Sequence, residues 1–166
     1  MSEQIVLRRL EAKDRDWVKD LLHERWGSSL IVTRGRVHEA DKLPGFIAED
    51  QGDPLGLVTY RIDGNECEIV SLDSLVEGRG VGSALVAGVR EAAAEGGCER
   101  LWLITTNDNT TALRFYQQLG FRLAAVHRDA VDRSRELKPE IPAIGRDGIP
   151  IRDEIELEVY LETRSK

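Results

Sequence analysis

The sequence predicts an α+β fold with an α/β unit inside it: a central mixed, mostly antiparallel sheet of six to seven strands with helices on both faces. Strand-like apolar runs at 46–49, 55–61 and 66–72 are separated only by the turn residues Gly52-Asp53-Pro54 and Asp63-Gly64, so the three run antiparallel. A strand, a glycine-rich turn, a helix and a second strand then follow one another between 66 and 105, which is the order of a βαβ unit. Two alternating runs at 121–127 and 155–161 complete the sheet.

Taken in order, residues 5–10 read as the first strand. Asp14 caps a helix whose apolar face is Trp17, Val18, Leu21, Leu22 and Trp26 at helical spacing, which assigns the tryptophans to the core. From 27 to 43 the pattern breaks up, with glycines at 27 and 35 among polar residues, and predicts a loop or a short second helix. Residues 80–95 are helical: Val81, Leu85, Val86, Val89, Ala92 and Ala93 fall along one side and Gly96-Gly97 ends the helix. Residues 101–105 form a short, nearly continuous apolar strand, and a second helix over 110–119 is stopped by Gly120. The segment 128–153 is too long for a plain loop, and the helix formers in 129–137 predict an element within it; it reads as an insertion or lid.

A length of 166 residues predicts one domain, 1–166, able to bury a core without metal or disulfide staples. With 41% apolar and 32% charged residues the chain must pack, and a net charge of −7 argues against a nucleic-acid partner, whose phosphates call for clustered Lys and Arg. No apolar run nears the ~20 residues that span a bilayer, and residues 1–5 lack the layout of a secretion signal, so no membrane partner and a cytoplasmic location are expected. Cys67 and Cys98 have neither zinc-site nor redox-motif spacing, and no metal is expected. Edge pairing or last-strand exchange between two copies would give a homodimer, for which no residue in the sequence argues.

The run Glu77-Gly78-Arg79-Gly80-Val81-Gly82-Ser83 falls where a strand ends and a helix begins. Unpaired backbone N–H groups and the positive end of a helix dipole converge there, and alternate glycines let a bulky anion approach the backbone. The same run is also compatible with a tight turn that holds no ligand. The phosphate-loop pattern fails for want of Gly-Lys-Ser/Thr, and the dinucleotide fingerprint fails because its third glycine would fall at Leu85. A second constellation follows the next strand: Asn109, Ala112 three residues on, Tyr116 seven on, and Gly120-Phe121 closing the helix.

Together these two patterns resemble the GNAT superfamily of acyl-CoA N-acyltransferases, whose phosphate-binding pattern is Gln or Arg, any two residues, Gly, any residue, then Gly or Ala. Gly80 and Gly82 match, while Glu77 stands where Gln or Arg is usual. The resemblance implies a GNAT-like fold and acetyl-CoA as cosubstrate, with the pyrophosphate on the N–H groups of Arg79, Gly80, Val81, Gly82 and Ser83. The pantetheine arm would lie along Leu72, Ser74 and Val76, with a backbone N–H near Leu72 as oxyanion donor. Asn109 matches the family's pantetheine-binding Asn, with Ala112 completing the pattern; Asn109 is equally a good helix N-cap. Tyr116 matches the Tyr that protonates the departing thiolate; alternatively Phe115, Tyr116 and Phe121 are aromatic core.

Three carboxylates, Glu66, Glu68 and Asp73, lie on or beside the central strand, and alternation places Glu66 and Glu68 on one face. Glu68 is the first choice for the general base, against the alternative of a solvated or ion-paired strand carboxylate. Arg34, Arg36 and His38 form one polar cluster and Arg133, Arg135 and Lys138 another, each either an anchor for an anionic group on the acceptor or a charged face. The expected reaction is direct acetyl transfer to a small-molecule amine acceptor. A protein or peptide amine, or a non-catalytic coenzyme A sensor, are the alternatives.

Overall fold

The computed structural model describes residues 4–162. In chain order its elements are β1 (Val6–Arg9), α1 (Arg15–Trp26), β2 (Leu30–Thr33), β3 (Arg36–Glu39), β4 (Gly45–Asp50), β5 (Asp53–Asp63), β6 (Glu66–Ser74), α2 (Val81–Glu95), β7 (Arg100–Thr106), α3 (Thr110–Gln118), β8 (Arg122–His127), α4 (Ala130–Leu137) and β9 (Glu154–Tyr160). Seven strands form one sheet in the order β1-β4-β5-β6-β7-β9-β8, and β2 pairs β3 separately. Within the large sheet only β6 and β7 run parallel, because the helix α2 between them returns the chain to the same end. The mixed, mostly antiparallel sheet expected from the sequence is therefore present.

Each face of the sheet has its own core. Val18, Leu21 and Leu22 of α1 pack on Ile47, Leu57 and Val70. On the opposite face, Val81, Leu85, Val86, Val89, Ala92 and Ala93 of α2 pack on Val58, Tyr60, Ile69 and Leu103. The predicted apolar stripe of α2 is thus the buried one, and fully burying each large side chain is worth about 1.5–3 kcal/mol.

Two irregularities shape the centre of the sheet. Strands β6 and β7 pair only from Glu66↔Arg100 to Ile69↔Leu103; beyond that β6 continues against β5 to Ser74, and β7 continues against β9 to Thr106. The sheet therefore splits open in its middle. Next to the split, Thr59 pairs Ser71 while Tyr60 pairs Ile69, leaving Val70 as a β-bulge. The bulge shifts the alternation: Ile69 and Leu72 both join the α2-side core, whereas Val70 joins the α1-side core and Asp73 meets Trp26 of α1.

The 27–43 region is not the loop or helix expected from the sequence. It is a hairpin, β2–β3, turning through Arg34 and Gly35, both with left-handed backbone (φ 51° and 72°), as a two-residue hairpin turn requires. The 128–153 segment contains α4, and the basic cluster read there is used internally. Arg135 donates to the carbonyls of Ile141, Pro142 and Ile151, and Lys138 Nζ donates to those of Trp26 and Leu30. Trp26 is likewise not core but 38% exposed.

Close approach of α2 to the split depends on Gly56 of β5. A Cβ there would lie 2.6 Å from Val81 Cγ1, 2.7 Å from the Asp73 carbonyl oxygen and 3.0 Å from Leu85 Cδ1. Gly56→Ala is therefore expected to destabilise the fold by about 1–3 kcal/mol through overpacking, read as a lowered urea midpoint; an unchanged midpoint would show that α2 can shift freely.

Candidate active site

Helix α2 begins without a side-chain cap. Gly80, its N-cap, and Gly78 both have left-handed backbone (φ 73° and 76°), so the chain turns into the helix along a path that other residues resist. The first helical bond is from Ala84 N–H to the Gly80 carbonyl at 3.0 Å, which leaves the N–H groups of Val81, Gly82 and Ser83 without intrahelical acceptors. They carry about half a positive charge from the helix dipole. The Arg79 side chain ion-pairs Asp50 at 2.8 Å, so what this turn offers an anion is backbone. Helix α3 starts nearby, capped by Asn109, whose Oδ1 accepts from Ala112 N–H at 3.2 Å. The two helix starts lie close: a Cβ on Gly82 would sit 3.1 Å from the Phe115 ring.

These helix starts border the split between β6 and β7. The split forms a cleft of about 780 Å³ lined from the β6 side by residues 69–74, from the β7 side by Leu103, Ile104 and Thr105, and from the helices by Gly80, Gly82, Asn109 and Tyr116 among others. That volume lies within the ~300–1,000 Å³ usual for ligand sites. The facing edges of the two strands have no strand partner in the cleft, so backbone groups there are available to an extended ligand. Tyr116, 6% exposed, packs edge-on against Phe115 and Phe121, and its hydroxyl has no hydrogen-bond partner among the described residues. Burial, helped by the Asp73 carboxylate, raises its pKa well above that of an ordinary phenol, so it stays protonated.

Carboxylates occupy the α1 side. Asp73 lines the cleft and is 9% exposed; Trp26 Nε1 donates to its Oδ1 at 3.2 Å and Oδ2 at 3.0 Å. Burial pushes the Asp73 pKa up, while the indole N–H and the charge of Arg25 pull against that shift. Glu68 is 2% exposed beneath the β2–β3 hairpin and does not line the cleft. The Thr33 hydroxyl donates to Glu68 Oε2 at 2.7 Å and lies 2.7 Å from His38 Nε2. A hydroxyl has one proton to give, so His38 donates from Nε2 to Thr33, and burial, which lowers its pKa to about 4, keeps the imidazole neutral at pH 7. Arg61 completes the network 3.7 Å from Glu68 Oε1, and burial raises the Glu68 pKa. Glu154, 2% exposed, accepts from Arg34 N–H and from the Ser134 hydroxyl, joining β9 to the hairpin and α4.

This geometry has close counterparts. A model of the acetyltransferase (GNAT) family matches residues 8–121. The chain belongs to the GNAT acetyltransferase family. Among relatives of this GNAT chain, the uncharacterized protein YdhI of Bacillus subtilis (strain 168) is 46% identical over 137 residues, covering 82% of this chain and 86% of that one. A mycothiol acetyltransferase of Clavibacter sepedonicus is 36% identical over 104 residues, 57% of this chain and 34% of its own length. Among solved structures, a Bacillus subtilis acetyltransferase in complex with CoA superposes with a TM-score of 0.69 at 20% identity, over 96% of this chain and 100% of that one.

Of the residues singled out from the sequence, Leu72, Ser74, Val76, Gly80, Val81, Gly82, Ser83, Asn109, Ala112 and Tyr116 line the cleft of the GNAT domain; Arg79 and Glu68 do not. Arg25, Trp26, Thr111, Phe115 and Arg146 line it too; the sequence had suggested the core for Trp26 and Phe115, placed Arg146 only within the 128–153 insertion, and marked neither Arg25 nor Thr111. Trp26 was hidden by its helical spacing, which suits a core position, and Arg146 had no flanking pattern to mark it. Among the described residues no group of three or more His, Cys, Asp or Glu is placed to hold a metal, and no helix is long and apolar enough to cross a membrane.

Burial, and after it Arg61 and Arg36, pushes the His38 pKa down from 6.5 to about 4. The group is depressed in the fold, so its contribution is complete above pH 6.5 and declines as pH falls from 6.5 towards 4. His38→Gln, which keeps a donor for Thr33, is expected to flatten the loss of stability across that window, by up to about 3 kcal/mol at its acid end. Urea titrations at stepped pH measure this, and parallel curves for the two proteins would remove His38 as the cause.

Proposed function

We propose that this chain is an N-acetyltransferase that moves the acetyl group of acetyl-CoA directly to the amine of a small-molecule acceptor, within one domain whose 128–153 insertion closes the acceptor side. The observation that carries the reading is the bare N-terminal turn of α2 opening into the same cleft as Tyr116 and Asp73. A diphosphate fits that turn because its N–H groups lack acceptors and its glycines place no side chain over them. The unpaired edge of β6 from Val70 to Ser74 suits the amides of a pantetheine arm, and the CoA complex of the related fold supports this assignment.

In this reading Asp73 takes the proton of the attacking amine as the C–N bond forms, and Tyr116 gives a proton to the thiolate sulfur as the C–S bond breaks. Burial suits both groups: it makes Asp73 a stronger base than an exposed carboxylate and keeps Tyr116 protonated. Glu68 is the second candidate base; it does not line the cleft, and its carboxylate is held by the Thr33 hydroxyl, which is in turn hydrogen-bonded to His38. The hairpin β2–β3 and helix α4 roof the α1 side, which favours a small acceptor over a protein segment.

Acetyl-CoA with a panel of amines and a thiol-release readout tests the activity, and calorimetry tests CoA binding. Tyr116→Phe is expected to lower kcat roughly 10-fold or more with CoA affinity retained; an undiminished kcat would end the acid role. Asp73→Asn should cost more of kcat/KM than Glu68→Gln and remove the acid limb of its pH profile, since that limb reports the free enzyme's base. The reverse ranking would transfer the base to Glu68. Gly82→Val is expected to weaken CoA binding by about 10-fold or more, because its side chain meets Phe115 and spreads the two helix starts. Parental affinity would argue against the backbone cradle.

A further inference from the structure

Two arginines line the cleft whose side chains have no hydrogen bond or ion pair among the described residues: Arg25 and Arg146. Arg25 lies in the last turn of α1, beside Trp26, and its charge favours the ionised form of Asp73. Several other basic side chains around the acceptor side, none of them lining the cleft, are already committed: Arg34 to Glu154, Arg61 to Glu68, and Arg135 and Lys138 to main-chain carbonyls. The two uncommitted guanidinium groups therefore stand out on the one surface where a second substrate must enter.

The loop bearing Arg146 is built rather than slack. Gly145 N–H donates to the Ile149 carbonyl at 2.8 Å, Ile149 N–H to the Arg146 carbonyl at 3.0 Å, and Ile151 N–H to the Ala143 carbonyl at 2.9 Å. Asp147 and Gly148 take left-handed backbone (φ 56° and 74°) to make so tight a turn. From the cleft side, Asn107 Nδ2 donates to the Pro150 carbonyl at 2.9 Å, and buried Asp108 accepts from Arg146 N–H at 3.3 Å. The fit at Asp108 leaves no room for a side chain on the preceding residue, where a Cβ on Gly145 would lie 2.1 Å from Asp108 Oδ2. This bracing fixes the backbone of Arg146 at the end of β7, opposite Arg25 and Asp73 at the end of β6, with the opening of the sheet between them.

We infer that the acceptor is an amine that also carries a carboxylate or phosphate, with the anionic group held by Arg25 and Arg146 and the amine presented to Asp73. The inference rests on the acetyl-transfer reading above and narrows its substrate class. A guanidinium can grip such a group through two parallel N–H···O bonds, which fixes orientation as well as charge. The pyrophosphate of the cosubstrate does not need these arginines, because the N-terminus of α2 supplies its site from the other face of the sheet. The net charge of −7 acts at long range; contact with the cleft is decided by the nearest groups, and its lining there includes Arg25 and Arg146 as well as Asp73.

Matched pairs test this with the full chain: amino acids against their carboxamides, and phosphoethanolamine against ethanolamine, each with acetyl-CoA and thiol release as readout. The anionic member of at least one pair is expected to have a kcat/KM roughly 10-fold or more above its neutral partner. Arg146→Ala should collapse that ratio through KM, Arg146→Lys should restore part of it, and calorimetric CoA affinity should stay within about 2-fold of the parent. Equal use of both members by the parent, a preference that survives Arg25→Ala/Arg146→Ala, or a panel silent despite normal CoA binding would each overturn the inference. CoA affinity falling in step with turnover in Arg146→Ala would also overturn it, by assigning the arginine to the cosubstrate's phosphates. Failure of the parent to bind CoA is a separate result that would remove the acetyl-transfer reading itself.

Discussion

The parting of β6 and β7 is the constraint on which the rest of this molecule depends. Two parallel strands that stop pairing after Ile69↔Leu103 leave backbone donors and acceptors exposed in the middle of a sheet, a costly arrangement unless each strand is held from its other side. Both are: β6 pairs β5 along its whole length, and β7 pairs β9 from Arg100↔Tyr160 to Thr106↔Glu154. The end of β7 is tied further by Asn107, whose amide spans Pro150, Arg152 and Asp153. The opening is thus kept by the outer strands, and the residues lining it are free to serve a ligand.

The bulge at Val70 decides which chemistry the opening has. Strict alternation would turn Asp73 towards the α2 face with Ile69, into an apolar core; one inserted residue sends it instead to Trp26 and the polar side. Tyr116 remains on the α2 face with Phe115 and Phe121. The Asp73 carboxylate and the Tyr116 phenol are therefore held on opposite faces of the sheet, across the gap. They still sense each other, since the Asp73 charge is among the causes that raise the Tyr116 pKa.

Most of the scaffold was legible in the sequence because it obeys simple periods. The α2 stripe, the β5–β6 hairpin and the glycine turn before α2 each follow from 3.6-residue spacing or from backbone that only glycine adopts easily, although the β5–β6 turn is Gly64-Asn65, one residue beyond the Asp63-Gly64 expected. The hairpin β2–β3 was not legible: its strands are short, Leu30 and Val37 face solvent, and its turn is Arg34-Gly35 in place of the Asn-Gly or Asp-Gly that advertises one. Alternation put Glu68 on the same side as Glu66, but nothing local could reveal the Thr33 and His38 that cover it from that hairpin. Arg146 depended on Asp108 and Gly145 meeting across a long sequence separation, which no periodicity encodes.

Buried charge on the α1 side then follows one rule. Glu68, Glu154 and Asp73 are all nearly inaccessible, and burial raises the pKa of each. Glu68 and Glu154 are answered by arginines, Arg61 from the neighbouring strand β5 and Arg34 from the hairpin turn. Of the three, Asp73 has only a neutral donor, the Trp26 indole, with the cationic influence of Arg25 acting at the cleft rather than in an ion pair. A buried carboxylate with no bound counter-charge gains most from a partner that arrives with a positive or proton-bearing nitrogen. The first two acids are tied to the hairpin roof by hydrogen bonds from Thr33 and from the Arg34 N–H; the third is left with an unmet electrostatic demand where the sheet opens.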